Sequence, residues 1–292
     1  MKKLKKNLII GGGGIKGLSF LGALDVLFKY YPLKNFENFC GVSVGSMIII
    51  FLNIGYNIEE LKNFFIKNEL YNFTDYKLSN LVDNYGLDKG IKITNLIKAF
   101  FKTKNIDYNI TFKDFFLKTK KNIYICGSNI SKNRVDYFSH FTNPNMPILE
   151  ALRISISVPL IFSPVKYNND YYVDGVFFEH YPIEPFKNDI NNTISLLLDV
   201  AKSNEINNFE SYLYRLMLSM SNYNALKRIE YSNNSNIYSI KNNENNGLKF
   251  DLNNQDKIKL FERGNYSIKN IIINKIYNKI KKRIYFNKLL KN

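Results

Sequence analysis

A run of four glycines, Gly11-Gly12-Gly13-Gly14, follows the short apolar segment Leu8-Ile9-Ile10 near the start of this 292-residue chain. Four residues without a Cβ end any strand that enters them and let the backbone turn sharply. Residues 5–10 are therefore expected to form a short buried strand. Beyond the turn, Leu18, Leu21, Ala23, Leu24, Leu27 and Phe28 recur at helical spacing, which predicts a helix over 18–30. Strand, glycine turn and helix form the repeating unit of an α/β sheet.

The alternation continues along the chain. Residues 36–41 read as a second strand and 47–55 as an apolar helix. Residues 58–116 read as mostly amphipathic helix, with breaks near Thr74, Gly86 and Gly90. Paired strands are expected over 122–128 and 135–141, and a helix over 148–156. Tyr171-Tyr172-Val173 is a strand ending at Asp174, residues 193–200 form another buried strand, and the polar stretch 242–246 is a loop. The predicted class is α/β with a largely parallel sheet.

Composition narrows the function. Hydrophobic content of 45% and aromatic content of 15% belong to a folded domain. The longest apolar run, Met47 to Leu52, is far shorter than the roughly 20 residues of a membrane-spanning helix. The basic start is followed by too short an apolar stretch for a signal peptide. A cytoplasmic location is expected, with peripheral membrane contact and no transmembrane helix. Two cysteines, Cys40 and Cys126, and two histidines, His140 and His180, leave little for a disulfide framework or a metal site. No metal and no cofactor are expected.

The 41 Lys+Arg against 25 Asp+Glu give a net charge of +16, which points to an anionic partner. Lys, Asn, Ile, Phe and Tyr are all abundant and share AT-rich codons, so genome composition is an alternative source of the excess. The charge concentrates at the end: residues 257–292 hold eleven Lys/Arg and one acid, Glu262. Ile268, Ile272, Ile276, Ile280 and Ile284 recur every four residues. This predicts a division into a domain over 1–270 and a basic amphipathic helix over 271–292. That helix can lie on an anionic membrane or pack its isoleucines on the domain. Nucleic acid is not an expected partner, and oligomeric state is not legible.

Three motifs carry chemistry. Gly12-Gly13-Gly14-Ile15-Lys16-Gly17 lies between strand and helix and matches G-x-G-x-x-G, with Glu37 twenty residues past Gly17. A dinucleotide-binding oxidoreductase would use Gly12, Gly14, Gly17 and Glu37 in this way. Alternatively, consecutive glycine N–H groups form a nest for an oxyanion, or the run is a plain turn. Gly41-Val42-Ser43-Val44-Gly45 is a G-x-S-x-G between strand and helix, the context of a nucleophile elbow that lifts Ser43 out of the backbone. Asp174-Gly175 stands at the end of a hydrophobic strand, where α/β active sites assemble. A His-dependent triad fits poorly, because His180 lies only six residues past Asp174. A Ser43–Asp174 dyad, with the carboxylate as direct base, suits the spacing better.

In combination these motifs resemble the patatin-like phospholipases, lipid acyl hydrolases. That family has a glycine-rich oxyanion motif ending in Arg/Lys-Gly, a G-x-S-x-G serine and an Asp-Gly-Gly or Asp-Gly-Ala step. The resemblance extends to Ala151 through Val165, to Tyr181-Pro182-Ile183, and to Phe250-Asp251-Leu252 and Glu262 through Tyr266. It implies a three-layer α/β/α domain with a central mainly parallel sheet, and hydrolysis of phospholipid acyl esters without metal. It assigns Ser43 as nucleophile, Asp174 as base, Gly12, Gly13, Gly14 and Lys16 to the oxyanion hole, and Gly17, Gly41, Gly45 and Gly175 as motif glycines. Val176 departs from the family's small residue after Asp-Gly, which raises the alternative of a catalytically silent lipid-binding protein. His180 is expected at the surface or on the substrate side, and Cys40 in buried packing.

Overall fold

A computed structural model of the chain describes residues 5–199, 236–241 and 252–289, together with scattered positions between 206 and 230. The expected loop at 242–246 lies outside the described residues. The polypeptide enters as β1 (Asn7–Ile10), turns at the glycines and forms α1 (Gly17–Tyr30), β2 (Asn38–Val42) and α2 (Val44–Asn53). An insertion follows: α3 (Ile58–Lys67), α4 (Leu78–Asn84), β3 (Gly86–Asp88), α5 (Ile91–Thr103) and α6 (Phe112–Thr119). The chain returns through β4 (Asn122–Asn129), β5 (Arg134–Phe138), α7 (Ile148–Ser155), β6 (Leu160–Phe162), β7 (Val165–Tyr167), β8 (Asp170–Asp174) and β9 (Thr193–Leu198). It closes with β10 (Ile237–Ile240) and a C-terminal helix, Asn254–Leu289.

The main sheet has the order β10-β9-β1-β2-β4-β8-β7, with β5 also paired to β4. Strands β10, β9, β1, β2 and β4 run parallel, and β8, β7 and β5 add antiparallel pairs. Side chains alternate across the pleat. Leu8 and Ile10 join the large core under α1, α2 and the C-terminal helix, whereas Ile9 joins Cys40, Tyr181 and Phe186 on the opposite face. Both faces of the sheet are therefore buried, as the near-continuous apolar strands require. This is the expected three-layer α/β/α arrangement.

Two expectations gain detail from the structure. The stretch 58–116 is mostly helix with breaks near Thr74, Gly86 and Gly90, as expected, but the break at Gly86 holds a strand: β3 forms a small parallel sheet with β6, pairing Gly86 with Leu160 and Asp88 with Phe162. Three-residue strands carry too little alternation to be seen in sequence. The isoleucine stripe also begins inside the domain, because Ile268 and Ile272 are buried in the main core. Residues 270 and 271, the expected boundary, lie within one continuous helix. Lys257 on that helix is fully buried and caps α3 and its following turn, donating from Nζ to the carbonyl of Asn68 at 2.8 Å. Among the described residues no helix is long and apolar enough to cross a membrane.

Candidate active site

Ser43 joins β2 to α2 with φ 54° and ψ −131°. A serine held in this positive-φ region carries strain on the order of 1–3 kcal/mol, which the surroundings must impose. They do so on both sides of the residue. Its N–H donates to Ser155 Oγ at 2.9 Å, and Ser155 Oγ donates in turn to the carbonyl of Cys126 at 2.7 Å. Its carbonyl accepts from the N–H of Ser46 at 3.0 Å and from Ser46 Oγ at 2.6 Å. Gly45 permits the close approach beneath. A Cβ there would lie 2.3 Å from the carbonyl oxygen of Ile10 and 2.5 Å from that of Gly11. Gly41 sits in β2 against the backbone of Ser46.

Asp174 ends β8. Ser43 Oγ donates to Asp174 Oδ2 at 2.7 Å, and Oδ1 accepts the N–H of Val176 at 2.8 Å. The two side chains are 131 residues apart in sequence, and strand register brings them together. Val42 pairs with Cys126 of β4, and the next residue of β4, Gly127, pairs with Asp174. Ser43 is 6% exposed and Asp174 2%. Burial pushes the Asp174 carboxyl up to about 7, with the hydrogen bonds from Ser43 and Val176 acting in the opposite direction. A carboxylate titrating near neutrality is a far better proton acceptor than a solvated one.

The glycine run passes beside the serine. Gly11 still pairs with the sheet, its N–H on the carbonyl of Leu196 at 3.0 Å. Gly14, with φ 55°, opens a 3-10 turn Gly14–Lys16, and Gly17 begins α1. A Cβ at Gly12 would lie 2.1 Å from Val176 Cγ2 and 3.3 Å from Ser43 Cβ. The missing Gly12 side chain is thus the space that Val176 fills. The Asp174-Gly175 turn is accordingly intact despite the larger residue, with Gly175 packed against Cys126 and Val42. Lys16 is buried at the end of the glycine turn.

Other candidates lie elsewhere. Glu37 precedes β2, at the opposite end of the sheet from the glycines, and pairs with Lys6 at 3.2 Å. It cannot serve a ligand held at Gly12, so the dinucleotide reading loses its acid. His180 is buried rather than at the surface, and burial lowers its pKa to about 4 while a hydrogen bond with the Leu198 backbone acts the other way. His140 stacks on Phe116 with ring centroids 4.1 Å apart. Cys40 is a buried free thiol whose pKa burial raises, with the Glu179 charge adding to the effect. Among the described residues no cluster of three or more His, Cys, Asp or Glu side chains could hold a metal.

Sequence reasoning missed the cavity that begins at Ser43. It measures about 110 Å³ and is walled by Ile15, Leu18, Leu21, Val44, Met47, Ile48, Phe65, Phe73, Ile93, Leu96, Ile156, Val158 and Phe162. Apart from Ser43, Thr74 is the hydroxyl side chain on its wall. These residues come from six separate segments, and each segment's amphipathic pattern says only that it has a buried side. Ser155 was missed as well, although it stands in the stretch from Ala151 to Pro159 that carries the resemblance.

The patatin-like phospholipase family model matches residues 8–187. A protein of Acanthamoeba polyphaga mimivirus is 32% identical over 283 residues, covering 92% of this chain and 94% of that protein. A protein of Invertebrate iridescent virus 6 named as a probable lipid hydrolase is 34% identical over 187 residues, covering 62% of this chain and 63% of its own. Among solved structures, VipD from Legionella pneumophila superposes with a TM-score of 0.58 at 15% identity, over 93% of this chain and 67% of that one. The type III effector ExoU superposes with a TM-score of 0.55 at 15% identity, and this chain spans 53% of it. At such identities the two structures share the fold.

Proposed function

Starting from the fact that the chain belongs to the patatin-like phospholipase family, we propose that it hydrolyses fatty-acyl esters of phospholipids through Ser43 and Asp174. The observation that carries this reading is the 2.7 Å bond between Ser43 Oγ and a buried carboxylate at the end of an apolar cavity. Ser43 Oγ attacks the ester carbonyl carbon as its proton passes to Asp174. The N–H groups of Gly12, Gly13 and Gly14 receive the oxyanion, and Lys16 adds positive charge beside them. Collapse of the tetrahedral intermediate breaks the ester C–O bond, and Asp174 returns the proton to the departing alcohol. Water then attacks the acyl-enzyme with Asp174 again as base, releasing the fatty acid and restoring Ser43.

The division of labour follows from the site. The acyl chain occupies the cavity, whose walls apart from Ser43 and Thr74 are apolar. Neither a metal nor a cofactor enters any step. Ser155 and Ser46 keep Ser43 in its strained backbone conformation, so the hydroxyl is aimed before substrate arrives. The basic C-terminal segment adds attraction to anionic membranes. The test is fluorophosphonate labelling and hydrolysis of a phospholipid by the wild type and by Ser43→Ala. Labelling and acyl release that disappear together in the folded Ser43→Ala protein support the reading. Activity that persists in that variant overturns it.

A further inference from the structure

The insertion between α3 and α5 does something unusual for a folded protein. Helix α4 has no buried residue, yet it displays Leu78 at 77% exposure, Val82 at 79% and, at its end, Tyr85 at 63%. Leu78 and Val82 fall on one face of α4, and Tyr85 follows directly at its C-terminal end. The pairing of Gly86 with Leu160 sets the exposed Leu160 beside them. Tyr85 and Leu160 both have left-handed backbone, φ 60° and 66°. Bulky residues are rare in that conformation, where Gly or Asn would relieve strain and would also be polar or small enough for water.

What this face meets is indicated by what lies behind it. Phe73 and Thr74 wall the cavity, and the same segment reaches Leu78 four residues later, at most about 14 Å of extended chain. On the other side, Val158 and Phe162 wall the cavity and flank Leu160. Two of the segments that wall the acyl cavity thus also push apolar side chains into solvent. Between residues 70 and 92 three lysines (Lys77, Lys89, Lys92) balance three aspartates (Asp75, Asp83, Asp88), so the face is electrically neutral. We propose that this α4–β6 face is the surface by which the protein docks on lipid bilayers, inserting Leu78, Val82, Tyr85 and Leu160 beside the cavity that takes the acyl chain. The proposal rests on the lipid-hydrolase reading for its occupant. Apolar insertion here is a contribution separate from the charge attraction of the C-terminal segment.

The chain contains no tryptophan, so Val82→Trp supplies a single tryptophan, excited selectively over the tyrosines, at the centre of the face. In the Ser43→Ala background, with phosphatidylcholine vesicles in 1 M salt, its emission should move to shorter wavelength. A second variant, Leu78→Ser/Val82→Ser/Tyr85→Asn, should lower vesicle partitioning about tenfold or more and slow hydrolysis of vesicular phospholipid. Its hydrolysis of a soluble short-chain ester should stay at the wild-type rate. Emission that stays unchanged, or partitioning that the triple variant leaves intact, overturns the docking surface. So does a wild-type dimer that the triple variant dissociates, since the face would then belong to a second copy. Binding is read in an inactive background, and soluble-ester hydrolysis reports the dyad alone, so failure of one reading is separable from failure of the other.

Discussion

Replacing Asp174 by Asn should make the protein inactive and, at alkaline pH, more stable. The carboxyl titrates near 7 in the folded state against 3.8 for the free group. Between those pH values the native protein holds a proton that the unfolded chain has released. Stability from this group is therefore fully present below about pH 4, falls as pH rises through the window, and is lost above 7. At 1.36 kcal/mol per unit, a displacement of about 3 units destabilises the native state by about 4 kcal/mol at pH 8. Asn carries no charge to desolvate, so the variant escapes that slope. Denaturant unfolding of both proteins at pH 4, 5, 6, 7 and 8 should show a gap near zero at pH 4. The gap should open to about 4 kcal/mol in favour of Asp174→Asn at pH 8. Hydrolysis of a soluble ester should fall by several orders of magnitude in the same variant, because an amide cannot accept the Ser43 proton. A gap independent of pH, or a variant less stable at pH 8, would refute the argument. It would mean that the bonds from Ser43 and Val176 outweigh the burial of the charge.

The same group sets the pH profile: wild-type kcat/KM on a soluble ester should rise about tenfold per unit up to pH 7 and level off above it, and a flat profile from pH 5 to 8 counts against Asp174 as base. Ser155→Ala strips the Ser43 N–H of its buried acceptor; it should destabilise by about 1–3 kcal/mol in thermal unfolding and slow fluorophosphonate labelling, and an unchanged labelling rate would show that Ser155 does not aim the elbow. Gly45→Ala drives a methyl to 2.3 Å from the Ile10 carbonyl, so expression of folded protein should fall and unfolding midpoints drop by more than about 3 kcal/mol equivalent. His140→Ala and His180→Ala should each retain ester hydrolysis within about tenfold of wild type, with EDTA without effect; inactivity of His180→Ala equal to that of Ser43→Ala would restore a triad.

Much of the fold was legible in the order of the residues because the responsible forces act over short separations. The glycines at 11–14 end β1 whatever else the chain does, since absence of Cβ is a local property. The apolar spacing in α1 and the short apolar runs of β1, β2, β4 and β8 likewise declare themselves within a dozen residues. Ser43 was legible for the same reason: G-x-S-x-G between strand and helix is one local turn. The short strands β3, β6, β7 and β10 were not, as three or four residues hold no period and no glycine run marks their ends as it does for β1.

What no local pattern contains is which distant residues share a level of the sheet. That Asp174 meets Ser43 depends on β4, whose Cys126 pairs with Val42 and whose Gly127 pairs with Asp174. A shift of one residue in either register would turn the carboxylate away, because side chains alternate faces along a strand. Tertiary structure also decided the fate of groups that composition left equivalent. Glu37 was placed on the wrong end of the sheet, His180 went into the interior, and Ile268 and Ile272 joined the core instead of a free apolar face. Val176, which the motif alone marks as too large, fits because Gly12 lies opposite it with no side chain. Local sterics and periodicity wrote the elements into the sequence; register and burial, which require the whole chain, chose the neighbours and raised the Asp174 pKa.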